Sequence, residues 1–375
     1  MRIGIEGLKM PEATRRGPLA SLDHARSYGM AGISFSSVLD MSPTLDSGAL
    51  KAIRSRADEL GMYLEAGLGK LNPYCSAEAP ELRAIGDGDI VAGLRRMMEA
   101  SAEIGCQELW ASLSNFKPQY SGRLANDRFR TDVTWPEQLL ASERLLRILA
   151  PIARDLGIHI NLETHDEVTS FELVRLVENV GPDAIGIVLD TANVLQRGEH
   201  PVWAARRVAP YIRQTHIKDA YVAHAPGGLD FQTRPCGNGI VDFRAILPII
   251  AAVNPAMNLT IEPAQSTADK RRAAVPRQRI EIDDPIWLAA HPDLTREERA
   301  AYEALIGDYE KRIAAGEVAD WETYERTNYG WPTYVNQSYG YAEALVFIRA
   351  CVEHLTAIAA ELALPLDAPP LARAA

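Results

Sequence analysis

Four residues of metal-ligand type stand at the ends of four successive apolar runs. Glu163 closes "IHINLE", Asp190 closes "AIGIVLD", His216 sits in "IRQTHIK" and Glu262 ends the apolar part of "NLTIEP". An unpaired carboxylate at the end of an apolar strand is costly, so Glu163 and Glu262 call for a partner. Three carboxylates and one imidazole suit one divalent cation, favouring Mn²⁺, Co²⁺, Zn²⁺ or Mg²⁺ over a thiolate-selected metal. Taken singly, each has a simpler reading. Asp190 in "DTAN" would serve as a helix N-cap, and His216 as a hydrogen-bonded core histidine.

A candidate proton carrier lies beside them. In "INLETHDEVTS", His165 follows Glu163 by two residues, and in extended chain residues two apart share a face. His165 is the candidate base; the alternative is a loop histidine capping the next helix. Glu163 and Glu262 are the other carboxylates able to take a proton. Lys218 follows His216 closely and would either pair with Asp219 or touch substrate. Arg234, before the turn "PCGNG", would bind an anionic or carbonyl oxygen or lie in solvent. Glu6, Glu65 and Trp110 fall near the ends of the first, third and fourth strands, so Glu65 and Trp110 join the substrate-binding candidates. Trp110 would otherwise be core.

These residues converge only if a particular fold holds them. Strands are expected at 2–7, 31–37, 62–67, 107–114, 158–163, 184–190, 212–218 and 258–263. Helical patterns lie between most of them. "PEQLLASERLLRILAPIARDLG" spaces its leucines for one helical face. "TSFELVRLVENVGP" opens with Thr169 and Glu172 in a capping-box pattern and closes on Gly181-Pro182. Eight strand–helix repeats predict an α/β fold, a (β/α)₈ TIM barrel with the strand ends facing one mouth. An open doubly wound sheet is disfavoured, because no GxGxxG follows the first strand. The whole chain, 1–375, reads as one barrel domain. Residues 266–340 interrupt it as an insertion between strand eight and helix eight, too long for a simple connection. It holds the basic run "DKRRAAVPRQR", a charged helix "TREERAAYEALIGDYEKRIAAG" and the aromatic stretch 321–341, and is expected to be a lid or a partner surface.

The order of Glu163, "DTAN", "HIKDA", "RPCGNGIVDF" and "TIEP" resembles the xylose-isomerase-like TIM barrel superfamily of sugar phosphate isomerase/epimerase type. The resemblance covers about residues 1–263 and 341–364. It implies that Glu163, Asp190, His216 and Glu262 bind one Mn²⁺-like ion, with substrate oxygens completing the shell. One departure matters. Ketose epimerases of this superfamily commonly place a His three residues after the metal-binding Asp; here Asn193 stands there. Asn193 can hydrogen-bond a substrate hydroxyl but cannot shuttle a proton. The chain is also similar to the larger subunits of bacterial C-glycoside deglycosidases, which cleave 3-keto C-glycosides. That likeness implies an oligomer with a small β-rich partner subunit.

Two activities follow as expectations. The first is an isomerase or epimerase that removes a proton beside the carbonyl of a keto-sugar. The second is a carbon–carbon lyase of the same family, a C-glycoside deglycosidase subunit working by β-elimination. Composition excludes some rivals. The 375 residues carry a net charge of −11 and only eight histidines, unsuited to nucleic acid and to a multi-metal nuclease. No run approaches the ~20 apolar residues of a membrane helix. The N-terminus reads as a strand rather than a signal peptide, and Cys75, Cys106, Cys236 and Cys351 form no CxxC pair. A cytoplasmic protein with reduced thiols is the expectation.

Overall fold

The computed structural model describes residues 1–76, 80–114, 117, 120, 122–263, 278–324 and 341–367. Eleven strands are found among them: β1 (Arg2–Glu6), β2 (Gly32–Ser34), β3 (Tyr63–Lys70), β4 (Glu108–Ser112), β5 (His159–Glu163), β6 (Ile185–Asp190), β7 (Ile212–Ile217), β8 (Asp219–Ala225), β9 (Gly228–Arg234), β10 (Asn258–Ile261) and β11 (Gln278–Ile280). Eight of these, β1–β7 and β10, form the closed parallel barrel in the order β1-β10-β7-β6-β5-β4-β3-β2. β1 closes it by pairing with β2 on one side and β10 on the other. A helix follows each barrel strand: Ala13–Ser27, Ser47–Glu59, Ile90–Glu103, Trp135–Leu156, Ser170–Val180, Pro201–Val208, Phe243–Val253 and Tyr341–Glu361. The (β/α)₈ architecture expected from the strand–helix rhythm is the one observed.

Local chemistry explains the element ends that matter to the mouth. Thr169 caps the helix after β5, accepting the Glu172 N–H at 3.2 Å, while Glu172 Oε2 accepts the Thr169 N–H at 2.9 Å. This reciprocal box starts the helix at Ser170, seven residues after Glu163. β3 differs from expectation. It runs on to Lys70 through a register shift between Gly67 and Gly69, and Gly69 takes φ +78°, which glycine adopts without strain.

The antiparallel sheet β8-β9-β11 was not expected from sequence. β8 and β9 form a hairpin between β7 and its helix, and β11 of the insertion pairs with β9. The described part of the insertion also contains helices Pro285–Ala289 and Arg296–Ala314. It is anchored by buried Trp287, Tyr302, Ile306 and Tyr309. The Tyr302 hydroxyl donates to the Leu195 carbonyl at 2.7 Å and the Tyr309 hydroxyl to that of Asn238 at 3.1 Å. The insertion therefore packs on the loops that follow β6 and β9, at the rim of the mouth. Most of the basic run and residues 325–340 of the aromatic stretch lie outside the described residues. No helix among the described residues is long and apolar enough to cross a membrane.

Candidate metal centre

The ends of β5, β6, β7 and β10 carry Glu163, Asp190, His216 and Glu262, and one ligand atom from each lies within 4.8 Å of the others. Register brings them together. Asp190 pairs with His216 across β6 and β7, and His216 with Thr260 across β7 and β10. The Thr164 hydroxyl fixes the end of β6, accepting the Asp190 N–H at 2.8 Å and donating to the Asp190 carbonyl at 3.1 Å.

Each carboxylate is held by protein groups, Glu163 and Glu262 through both oxygens. Glu163 Oε2 accepts the Trp110 indole N–H at 2.9 Å, and its Oε1 lies 3.0 Å from His216 Nδ1 and 3.4 Å from the Asn193 amide. Asp190 Oδ1 accepts the N–H groups of Ala192 and Asn193 at 2.9 and 2.7 Å. No hydrogen bond of good geometry reaches the buried Asp190 Oδ2, although the Lys218 ammonium lies 3.0 Å from it. Lys218 also contacts Glu262 Oε2 at 2.6 Å, while Lys9 holds Glu262 Oε1 at 2.6 Å.

Burial raises the Asp190 carboxyl to about 7, more than nearby Lys218 lowers it. Burial works the same way on Glu163, but His216 and His165 outweigh it and bring that carboxyl down to about 2. Burial opposes charge on His216 too, yet Glu163 lifts its imidazole to about 9. Lys218, Lys9 and His216 together overcome burial and hold Glu262 well below the carboxylate range. This is a dense cluster of paired charges, with the Lys218 ammonium set against Asp190 and Glu262 and the Lys9 ammonium against Glu262. The donor set of three carboxylates and one imidazole, with their ligand atoms within 4.8 Å of one another, fits a divalent ion that prefers oxygen and nitrogen ligands.

Next to it lies a second cluster of His165, Asp166 and Glu167. His165 Nε2 stands 4.0 Å from Glu163 Oε2. On its other side, Nδ1 meets Glu167 Oε2 in a short contact and Asp166 Oδ1 at 2.7 Å. Burial disfavours the imidazolium, but Glu167 and Asp166 outweigh it and raise the imidazole well above its ordinary value. The arrangement is that of an imidazole oriented through one nitrogen with the other turned toward the cluster.

A family model, "Xylose isomerase-like TIM barrel", matches residues 22–291. The chain belongs to the xylose isomerase-like TIM barrel family. Among curated relatives, the uncharacterised protein YihM of Escherichia coli is 33% identical over 137 residues, 36% of this chain and 39% of that protein. The 3-oxo-isoapionate decarboxylase of Pectobacterium atrosepticum is 28% identical over 131 residues, 34% of this chain and 48% of that protein. The chain thus matches less than half the length of either. Among solved structures, the 3-keto-D-glucoside 4-epimerase YcjR of E. coli shares the fold, with TM-score 0.51, 17% identity, and coverage of 81% of this chain and 99% of that one.

Within the family barrel, several expected binding residues fall elsewhere. Glu65 is the third residue of β3, not its end. It lies low in the barrel, where it accepts from the Asn258 amide at 2.7 Å and meets Thr260 at 3.5 Å. The longer β3 explains the error, since Lys70 is the residue it delivers to the mouth. Lys70 donates to the Ser112 hydroxyl at 2.6 Å and sits 5.1 Å over the Trp110 ring. Trp110 itself is buried, with its indole N–H on Glu163 and His216 stacked against it at 6.2 Å. It orients a candidate ligand rather than offering an open platform. Arg234 is fully buried, against both readings of it. It donates to Gln232 and to the carbonyls of Ala319 and Asp320, and stacks on Tyr324 at 3.7 Å, so it ties β9 to the insertion. Lys218 and Asp219 do not pair. The Asp219 carboxylate accepts N–H groups from Ala220, Gly237, Gly239 and Val241, which folds the "PCGNG" turn.

Sequence reasoning missed Lys9, Lys70 and Glu167. Lys9 follows β1 by three residues, with its N–H on Glu6 Oε2 at 2.8 Å, a position that inspection of the segment after each strand would have flagged. Glu167 gave no such signal, because its role depends on where His165 turns.

Proposed function

We propose that this chain is a divalent-metal-dependent enzyme that removes a proton beside the carbonyl of a keto-sugar, as an isomerase or epimerase. The observation that carries the reading is His165 Nε2 facing Glu163 at 4.0 Å on the edge of the four-residue cluster. Glu163, Asp190, His216 and Glu262 would hold the ion. Bound there, it would supply Lewis-acid polarisation of the substrate carbonyl oxygen.

The chain's own groups do the rest. His165 acts in its neutral form: it takes the proton from the adjacent carbon at Nε2 while Glu167 accepts at Nδ1, and Glu167 and Asp166 steady the imidazolium that forms. Delivery of a solvent-exchanged proton to another carbon or face completes isomerisation or epimerisation. Glu163 and Glu262 are the alternative bases. Asn193, beside Glu163, would bond a substrate hydroxyl, and Lys218, on Glu262 and Asp190, would meet a developing oxyanion. Trp110 keeps Glu163 turned toward the cluster. The name of YcjR, a 3-keto-D-glucoside epimerase, supports a carbonyl-bearing sugar as the substrate class.

A second reading is a lyase in which the same proton removal expels a group β to the carbonyl, with a 3-keto C-glycoside as substrate. The likeness to a 3-oxo-isoapionate decarboxylase favours it, since decarboxylation of a 3-oxo compound also breaks a carbon–carbon bond with help from a carbonyl. A small β-rich partner subunit and a cytoplasmic setting belong to this reading. The deciding experiment incubates Mn²⁺-loaded protein in D₂O with free ketoses and with 3-keto O- and C-glycosides, followed by mass spectrometry. One deuterium in an isomeric product supports the epimerase, release of the aglycone supports the lyase, and finding neither an isomeric product nor a released aglycone from any of them overturns both.

A further inference from the structure

His165 is oriented by Glu167 and Asp166, and these two carboxylates are held in turn. Glu167 Oε1 accepts the Leu113 N–H at 2.9 Å, and the Asp166 carbonyl accepts the Asn126 amide at 3.0 Å. The Glu167 carbonyl accepts from Arg128 Nη1 at 3.0 Å. Arg128 is 3% exposed and makes three kinds of contact at once. It forms a two-pronged pair with Glu172 at 2.8 and 3.0 Å, holds the Glu167 carbonyl, and donates to the Ala290 carbonyl of the insertion. A buried pair with Glu172 would by itself be a structural ion pair. It does not require the same guanidinium to reach the His165 loop and the insertion as well.

The insertion is firmly seated where Arg128 reaches it. The next residue, His291, is stacked on Trp287 at 3.7 Å and donates from Nδ1 to the Trp287 carbonyl at 2.6 Å. Its Nε2 lies 3.3 Å from Arg197 Nη1, at the end of the turn that follows Asp190.

We propose that Arg128, braced by Ala290 of the insertion, is a positioning residue for His165: its fork fixes the 165–168 loop so that Nδ1 stays on Glu167 and Nε2 faces Glu163. This rests on the reading of His165 as the proton carrier. The insertion is then a buttress of the acid–base loop, a role separate from covering the mouth or docking a partner.

The test uses two variants of the full chain. Arg128→Lys keeps a cation against Glu172 but loses the planar fork. Arg128→Met with Glu172→Gln removes both charges together, and Gln retains an acceptor for the Trp135 indole, which now donates to Glu172 at 3.1 Å. ¹⁵N-histidine NMR of substrate-free protein, held at a pH above the His165 titration and with the His165 signals assigned from His165→Asn, reports its tautomer. In a variant that melts within a few degrees of wild type and binds Mn²⁺ as wild type does, the His165 signals are expected to move from one tautomer toward a mixture. kcat on whichever sugar the wild type converts should fall ~10–10²-fold with KM unchanged. Unchanged His165 signals in both variants would overturn the proposal. If His165→Asn turns over normally, the base assignment fails, while the NMR result still decides whether Arg128 positions the ring.

Discussion

Metal binding at this centre should compete directly with protons, and the site's own groups set by how much. In the metal-free protein His216 titrates at about 9 and Asp190 at about 7, and both must give up their protons to act as ligands. At pH 8 His216 alone is largely protonated, so binding should release about one proton; at pH 6 both are, and it should release about two. Integrated between those limits, affinity for Mn²⁺ should weaken ~10³-fold from pH 8 to pH 6, or about 4 kcal/mol. Folding stability carries the matching sign. Both pKa values are raised, so each stabilises the metal-free fold below the group's ordinary value of 6.5 or 3.8 and loses that contribution as pH rises through about 9 or about 7. The metal-free protein should therefore melt lower as pH climbs from 7 to 9, above the interval in which buried His291, held low by desolvation, resists protonation, while added Mn²⁺ protects more strongly over the same climb. Titration calorimetry in buffers of different ionisation enthalpy counts the released protons directly. An affinity that moves less than tenfold across that range, or binding with no net proton release, would refute this account of the cluster.

Three further outcomes follow. Trp110→Phe removes the indole N–H from Glu163 while keeping an aromatic ring, and should weaken Mn²⁺ binding ~10-fold or more, the usual scale for a group that orients a ligand; calorimetry at fixed pH checks it, and wild-type affinity would mean that Glu163 needs no such support. His165→Asn should keep metal affinity and lower turnover roughly 10²–10⁴-fold; normal turnover moves the base to Glu163 or Glu262. Replacing residues 266–340 with a short Gly/Ser linker should lower both turnover and the melting temperature, because Trp287, Tyr302, Ile306 and Tyr309 are buried against the barrel loops; an unchanged melt measured by calorimetry would show that this packing contributes nothing to the fold.

The sequence alone determined the barrel and the four candidate ligands, because both are local. Apolar runs, caps such as Thr169–Glu172 and stop signals at Gly181-Pro182 repeat with a period that one stretch of chain displays, and a ligand at a strand's end needs only that end to be located. Where an end was misplaced, as at β3, the residue assigned to the mouth was wrong: Glu65 sits low in the barrel and Lys70 takes its place. What each charge touches was decided only by tertiary structure. Lys9 meets Glu262 across 253 positions of sequence, and Arg128 reaches Ala290 across 162. The Arg234 guanidinium is buried by strand and insertion together, and the β8–β9 hairpin that carries it has no counterpart in the strand–helix rhythm. Side chains as long as lysine and arginine choose partners by barrel register and by where an insertion returns to pack, and neither leaves a periodic trace in the chain.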